Sequence, residues 1–370
     1  MNTWQVFGQD WAVELLQKKV GSHSLHHAYL VTGPDGVGRR TMAIRLVQAL
    51  NCPTPLSPGV PCLTCRICKQ IEEGKFFDLM TIQRLGGKTE ILIEQVREAT
   101  RFLSLKPFIS THKVLLFLDI QNANESSFNA LLKTLEEAPD YALMVLIANN
   151  TDQVPLTILS RCEVLRLRPV SIPQLSEFLT SEGVKGEKLT LLSHLGEGRP
   201  GYALNLNTPD SELLVFRMEK LKDMHQLLSQ RYSERFSYAE NLVGIDYKAR
   251  EQARKKLAQI QKNFKKQDFS KEIEVNPEEE ENLEEGILRK TFRIWLTYWR
   301  DVLLITTGSK VEITNIDCAG EIELIAGKLD RSTIIKVISS LETALLRLDH
   351  NVNSRLLVEV LMLDIPRVKV

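Results

Sequence analysis

The glycine-rich segment at residues 33–41 has the residue types and the spacing of a phosphate-binding loop. It follows an apolar strand pattern at 28–32 and precedes helical spacing at 40–50. In that context, backbone N–H groups and the N-terminus of a helix can hold a phosphate group. The candidate nucleotide-binding residues are three glycines and the three residues after the last of them: Gly33, Gly36, Gly38, Arg39, Arg40 and Thr41.

This loop departs from the pattern that ATP hydrolysis requires. A lysine normally follows the last glycine, and a serine or threonine that binds Mg²⁺ comes next. Arg39 and Arg40 occupy these two positions. The planar fork of arginine does not replace a lysine ammonium, and a cationic Arg40 cannot coordinate a metal. Using Thr41 instead would place Arg39 where the last glycine belongs. We therefore expect loss of hydrolysis, whereas the binding of ATP or ADP stays open.

A single carboxylate, Asp119, follows the apolar strand pattern at 114–118. Hydrolysis needs one carboxylate to hold Mg²⁺ and a second one to activate the attacking water. Because Leu118 and Ile120 flank Asp119, one of the two carboxylates is missing, whichever role Asp119 takes. Asp119 is therefore a candidate cofactor-binding residue of an incomplete site.

Four of the six cysteines lie within 17 residues, in the spacing C-x9-C-x2-C-x2-C. Four thiolates suit tetrahedral Zn²⁺, and a site with four cysteine ligands leaves no open position for catalysis. The alternative, unrelated buried cysteines, fits poorly because prolines and polar residues separate them. The sequence predicts a structural zinc site formed by Cys52, Cys62, Cys65 and Cys68.

The apolar patterning divides the chain into three parts. Strand patterns at 28–32, 113–119, 143–148 and 164–167 alternate with helical patterns, which predicts a parallel sheet covered by helices. After Pro169 the patterns are helical. We expect an α/β domain at 1–168 with a zinc module at 52–68, a small helical domain at 169–209, and an all-α domain at 210–370 with a charged insert at about 262–285.

Composition limits the possible partners. The chain has 47 basic and 47 acidic residues and thus no net charge, whereas a dedicated nucleic-acid-binding protein is usually basic. The N-terminus lacks a signal-peptide pattern, and no stretch of about 18 apolar residues predicts a membrane span. We expect a cytoplasmic protein with no membrane association.

Several segments resemble the clamp-loader subunits of bacterial DNA polymerase III, which are AAA+ proteins. The segment 129–139, NALLKTLEEAP, closely resembles their NALLKTLEEPP signature, and 159–162 looks like their SRC motif. The segment 6–9 resembles their VxGQ box, and 294–304 is similar to a helix of their collar domain. The cysteine spacing also matches. The resemblance covers roughly the whole chain and implies an AAA+ module, a helical lid and a C-terminal collar.

Within that family the resemblance implies the delta-prime type. Gamma/tau subunits keep the lysine and hydrolyse ATP, whereas delta-prime subunits often do not. Gly201 also stands where the active relatives have their sensor 2 arginine. An active gamma/tau-type ATPase is the alternative. The implied partners are gamma/tau and delta subunits, the sliding clamp, and primed DNA reached through the assembled complex.

The resemblance also assigns roles to individual residues. It implies that Arg161, in the SRC-like motif, reaches the ATP bound by a neighbouring subunit and acts there in trans as an arginine finger. A surface arginine with a salt-bridge partner is the alternative. Asn149 and Asn150 end a strand where sensor 1 residues lie, so they either orient an attacking water or only cap the next turn.

Overall fold

The computed structural model describes residues 3–84, 90–208, 211–264, 286–348 and 352–368. The chain divides into two compact units, residues 1–205 and 206–370. Each unit has apolar clusters of its own. The predicted boundaries at 168 and 209 stay predictions, because a division into two units does not test whether residues 169–209 form a separate small helical domain.

Five parallel strands form the sheet of the first unit, in the order β2-β3-β4-β1-β5. Four of them lie where the apolar patterns predict strands. The fifth, Leu79–Ile82, lies at the edge of the sheet, and two of its four residues are not buried. The strands are β1 Ala28–Thr32, β2 Leu79–Ile82, β3 Lys113–Phe117, β4 Ala142–Ala148 and β5 Glu163–Arg166.

Helices cover both faces of this sheet, which explains why the central strands are apolar throughout. Alternate residues of each strand point to opposite faces. Tyr29 and Val31 belong to one apolar cluster, whereas Ala28 and Leu30 belong to the other. The helices of this unit are α1 Asp10–Gly21, α2 Arg39–Asn51, α3 Arg66–Glu72, α4 Ile93–Ser104, α5 Glu125–Glu136, α6 Leu156–Leu159, α7 Ile172–Ser181, α8 Glu187–Leu195 and α9 Pro200–Leu206.

The described residues of the second unit form helices and the loops that connect them, with no strand among them. Its core contains the aromatic side chains of one amphipathic helix, including Trp295 and Trp299, which are fully buried. The charged insert expected at about 262–285 lies outside the described residues from 265 onward. The helices are α10 Glu212–Ser229, α11 Tyr232–Phe264, α12 Ile287–Thr306, α13 Ala319–Ala326, α14 Arg331–Leu348 and α15 Ser354–Asp364.

The described helices are too short or too polar to span a membrane.

Candidate functional site: a self-paired phosphate loop, a cysteine cluster and Arg161

The glycine-rich loop lies at the carboxyl ends of β1 and β4, where the predicted strand-loop-helix context places it. Gly33 N–H donates to the Asn149 carbonyl at 3.2 Å, and Gly38 caps the N-terminus of the 13-residue helix α2. Gly33, Gly36 and Gly38 have φ angles of 149°, 79° and 103°, in the region that glycine adopts without strain. A Cβ at Gly33 would also lie 2.7 Å from the Leu167 carbonyl oxygen. The backbone therefore retains the form of a phosphate cradle.

The side chain of Arg39 is paired inside this cradle. Arg39 is only 8% exposed, its Nη1 donates to Asn149 Oδ1 at 2.6 Å, and its Nη2 forms an ion pair with Asp35. The cation nearest the last glycine is thus bound by the loop's own carboxylate and by a strand-end amide. Arg40 is exposed and Thr41 is half-buried.

Helix α9 packs directly against the loop. Gly201 N–H donates to the Gly36 carbonyl at 2.8 Å, and a Cβ at Gly36 would lie 2.6 Å from the backbone nitrogen of Tyr202. Arg199 forms an ion pair with Glu197 at 2.7 Å and lies over the Tyr202 ring at 4.1 Å from its centroid. Gly201, the residue expected at the sensor 2 position, is thus in close backbone contact with the loop, and the nearby Arg199 is already engaged with Glu197 and Tyr202.

Asp119 stands two residues beyond β3. Its φ of 55° is left-handed, a conformation that aspartate tolerates better than most residues. One carboxylate oxygen, Oδ1, accepts a hydrogen bond from Gln121 Nε2 at 3.2 Å. Its role in holding a cofactor stays a prediction.

The four clustered cysteines converge as their spacing predicts. Their Sγ atoms all lie within 4.8 Å of one another, whereas ligands of tetrahedral Zn²⁺ with Zn–S of about 2.3 Å would be about 3.8 Å apart. Cys52 follows the end of α2, Cys65 caps α3, and Cys68 lies within α3. This donor set, geometry and partial burial fit a structural zinc ion held by Cys52, Cys62, Cys65 and Cys68.

Hydrogen bonds to sulfur prepare the cluster for a cation. The N–H groups of Cys62, Cys65 and Cys68 each donate to the Sγ of the preceding cysteine in the cluster, at 3.4, 3.3 and 3.4 Å. The Thr54 hydroxyl, 3.5 Å from Cys62 Sγ, lowers the pKa of that thiol to about 5. Burial raises the pKa of Cys52 and Cys68, and a bound cation would offset this, because metal binding requires the thiolate form.

The cysteine cluster and the glycine-rich loop lie at opposite ends of α2. A 13-residue helix is about 20 Å long, so the two sites are chemically separate. The module is fixed to the sheet domain by its own contacts: Trp4 Nε1 donates to the Gly59 carbonyl at 2.9 Å, and Gln48 Nε2 donates to the Cys68 carbonyl at 2.8 Å. The location of the cysteine cluster therefore fits a structural role and not a catalytic one.

Arg161 lies on the turn after the short helix α6 and is 34% exposed along its side chain. Its Nη1 donates to the Thr157 carbonyl at 2.9 Å and to Ser160 Oγ at 3.2 Å. Its Nη2 forms an ion pair with Glu136. The structure thus brings together the two segments, 129–139 and 159–162, that carry the family resemblance.

Neighbouring Cys162 is a packing residue. Burial raises its pKa to about 12, so it stays a neutral thiol that packs against the apolar cluster of one sheet face.

Two acidic residues at these sites were not among the predicted ones. Asp35 precedes Arg39 by four residues, a spacing that can signal an ion pair. Glu136 belongs to the LEEAP segment, and only its position in the fold reveals Arg161 as its partner. Both carboxylates pair with arginines to which the sequence assigned phosphate chemistry.

The first part of the chain is similar in sequence to subunits of DNA polymerase III. Residues 8–171 match the family model described as DNA polymerase III, delta subunit. The gamma subunit of Buchnera aphidicola (subsp. Acyrthosiphon pisum) is 31% identical over 62% of this chain and 64% of its own length. The tau subunit of Escherichia coli is 34% identical over 54% of this chain and 32% of its own length.

A solved structure also aligns over nearly all of the chain. It is a DNA polymerase III gamma subunit-related protein from Thermotoga maritima, with 17% sequence identity and a TM-score of 0.44. The alignment covers 96% of this chain and 98% of the Thermotoga chain.

The matched region contains all the candidate site residues. The chain nevertheless spans only about two thirds of the Buchnera subunit and one third of the E. coli subunit. The subunits named above are delta, gamma and tau subunits, and these similarities do not distinguish the delta-prime type from the gamma/tau type. Over the part that carries the glycine-rich loop, the cysteine cluster and Arg161, this chain is similar to the delta and gamma/tau subunits of DNA polymerase III.

Proposed function

We propose that this protein is a non-hydrolysing clamp-loader subunit of DNA polymerase III, of the delta-prime type. It would act as an assembly subunit with gamma/tau and delta subunits and help to place the sliding clamp on primed DNA. The observation that carries the proposal is the pairing of Arg39 with Asp35 and Asn149 inside the phosphate loop.

This pairing opposes both steps of an ATPase cycle. Triphosphate would have to displace Asp35 from a guanidinium that is almost fully buried, and a carboxylate in the loop repels a polyanion. Asn149, one of the two residues predicted at the sensor 1 position, already accepts a hydrogen bond from Arg39 through its Oδ1, which opposes its use in orienting a water. No lysine follows Gly38, and Arg40 stands where Mg²⁺ would need a hydroxyl ligand.

Within the assembled complex, Arg161 would supply positive charge to the ATP site of the neighbouring subunit. An arginine finger stabilises the charge that develops during phosphoryl transfer and increases the rate by about 10³–10⁵-fold. Partial exposure on a turn supports this role, because the side chain can leave its present partners without disturbing the sheet.

A gamma/tau-type ATPase is the second candidate function. What favours it is that the relatives at 31–34% identity are gamma and tau subunits. Arg39 and Arg40 argue against it. The two candidates differ in one measurable property, the hydrolysis of ATP by the isolated chain.

The test is reconstitution with a gamma/tau subunit, a delta subunit, the sliding clamp and primed DNA. We expect no ATP hydrolysis by the isolated chain and a large loss of DNA-stimulated hydrolysis in complexes that contain Arg161→Ala. Sites between other subunits would dilute the loss below the roughly 10³-fold expected at one site. Arg166→Ala, which removes an exposed arginine from the nearby strand β5, is the matched control.

Two results would contradict the proposal. Hydrolysis by the isolated chain would favour the gamma/tau-type enzyme. Equal rates for complexes with wild type, Arg161→Ala and Arg166→Ala would exclude the finger in trans.

A further inference from the structure

The guanidinium of Arg161 is folded back onto its own chain. Nη1 donates to the carbonyl of Thr157, four residues earlier, and to the hydroxyl of the adjacent Ser160. These contacts lie within the single turn that carries the arginine. They orient the side chain along α6, so reaching a phosphate on a neighbouring subunit requires the guanidinium to leave this turn.

The remaining contact comes from a different element. Glu136 is the last residue of α5, and one of its carboxylate oxygens accepts a hydrogen bond from Arg161 Nη2. Glu136 is 50% exposed, so the pair lies at the surface and can open without exposing apolar core. A carboxylate also competes directly with phosphate oxygens, because both bind the same edge of a guanidinium.

We propose that Glu136 is a restraining partner of Arg161, which holds the arginine in a withdrawn position until a neighbouring ATP site displaces it. The inference rests on the proposed role of Arg161 in trans. It adds a regulatory residue, Glu136, that touches neither the nucleotide nor the reacting atoms and acts only through the arginine.

The expected size of the effect follows from the exposure of the pair. An exposed ion pair shifts an equilibrium by no more than about fivefold. When only a fraction of the molecules has Arg161 free to reach the neighbouring site, the measured activity is proportional to that fraction. Removing the charge of Glu136 should therefore raise the competent fraction of Arg161 by up to about fivefold, far less than the effect of the finger itself.

The experiment compares Glu136→Gln with Glu137→Gln in the reconstituted complex at limiting gamma/tau subunit. Glu137 is the adjacent exposed glutamate, so the control makes the same change of charge one residue away. Glutamine keeps the size and a hydrogen-bond acceptor but removes the negative charge. We expect ATP hydrolysis to rise by two- to fivefold, on the order allowed for an exposed pair, with Glu136→Gln and to stay unchanged with Glu137→Gln.

A double-mutant cycle with Arg161→Ala makes the test specific. In the Arg161→Ala background, Glu136→Gln should have no effect. The pairing can also be followed in the isolated full-length chain by ¹⁵N NMR of the arginine side chains, in which Glu136→Gln should speed hydrogen exchange at the Arg161 Nη groups.

Each outcome distinguishes the restraint from the finger. If Arg161→Ala lowers hydrolysis but Glu136→Gln leaves it unchanged or lowers it, the restraint is overturned and the finger stands. If Arg161→Ala itself has no effect in the complex, the proposed function fails and the restraint fails with it.

Discussion

A buried carboxylate, Asp78, fixes the loop between α4 and β3. Its Oδ1 accepts a hydrogen bond from the backbone of Phe108, and its Oδ2 accepts bonds from the backbone of Ile109 and from both the N–H and the hydroxyl of Ser110. Lys113 Nζ lies 3.9 Å away. These hydrogen bonds hold the backbone of the loop although the Phe108 side chain is 82% exposed. One side chain therefore determines the conformation of an apolar surface loop.

Replacing this carboxylate should cost stability in a pH-dependent way. Burial works to raise the pKa of Asp78, but hydrogen bonds from Ile109, Phe108 and Ser110 outweigh it and lower the pKa. The ionised form thus stabilises the fold above the ordinary value of 3.8, and this contribution is lost as pH falls through the lower folded-state value. Asp78→Asn should reduce the free energy of unfolding by about 3 kcal/mol at neutral pH, because Lys113 loses its buried partner.

Urea unfolding followed from about pH 7 down to about pH 3 would measure this loss. The difference between wild type and Asp78→Asn should shrink at the acidic end. Asp140→Asn, which changes an exposed carboxylate, should behave like wild type throughout. A deficit for Asp78→Asn that is independent of pH would mean that the charge of Asp78 is not what stabilises the loop.

At the scale of single residues, chemistry was easier to predict than pairing. The types at 39 and 40 are visible in the sequence and indicate a defective loop. Asp35 lies four residues before Arg39, a spacing that can signal an ion pair, whereas the hydrogen bond from Arg39 to Asn149 joins residues 110 positions apart and depends on the fold. The partnership of Arg161 with Glu136 was missed for the same reason. Local sequence spacing can predict the chemistry of a site, whereas partners that are distant in sequence can be identified only once the fold is known.

At the scale of elements, the cysteine module illustrates what ligand spacing can predict. The spacing indicated a metal site, and the structure brings the four sulfur atoms together. The fifth strand, β2, was missed because it is short and partly exposed at the sheet edge, so it lacks the continuous apolar pattern of β1 and β4.

Zinc should be bound in one equivalent and should stabilise the module. Structural zinc sites contribute about 10–16 kcal/mol of binding free energy in small peptides, and part of that would appear as stability here. We expect Cys68→Ser to abolish zinc binding and to lower the melting temperature, because three thiolates and a hydroxyl make a weaker ligand set. Zinc content by mass spectrometry and thermal unfolding would measure both effects.

The matched control for this prediction is Cys162→Ser, which changes a half-buried cysteine outside the cluster. It should retain one zinc per chain. A wild-type protein that holds no zinc after purification without chelators from zinc-supplemented medium would show that the cluster is not a zinc site.

At the scale of the whole molecule, the chain has two units with separate apolar cores. The sequence indicated the change from an α/β to an all-α pattern, because strand patterns end after residue 168. It did not indicate how the second unit secures its C-terminal segment. That task falls to a buried arginine, Arg235, which is 1% exposed and donates to the backbone carbonyls of Leu227, Met362, Ile365 and Pro366.

Arg235 should therefore stabilise the second unit. Arg235→Leu removes the four hydrogen bonds that the guanidinium donates to these carbonyls, and the loss of these buried, charge-assisted bonds should cost about 3–5 kcal/mol. Hydrogen exchange measured by mass spectrometry should become faster in α10, α11 and α15, whereas the sheet of the first unit should be unchanged. Arg231→Leu, four residues earlier and exposed, is the control. Equally faster exchange in both units would mean that the two cores do not act as separate units of stability.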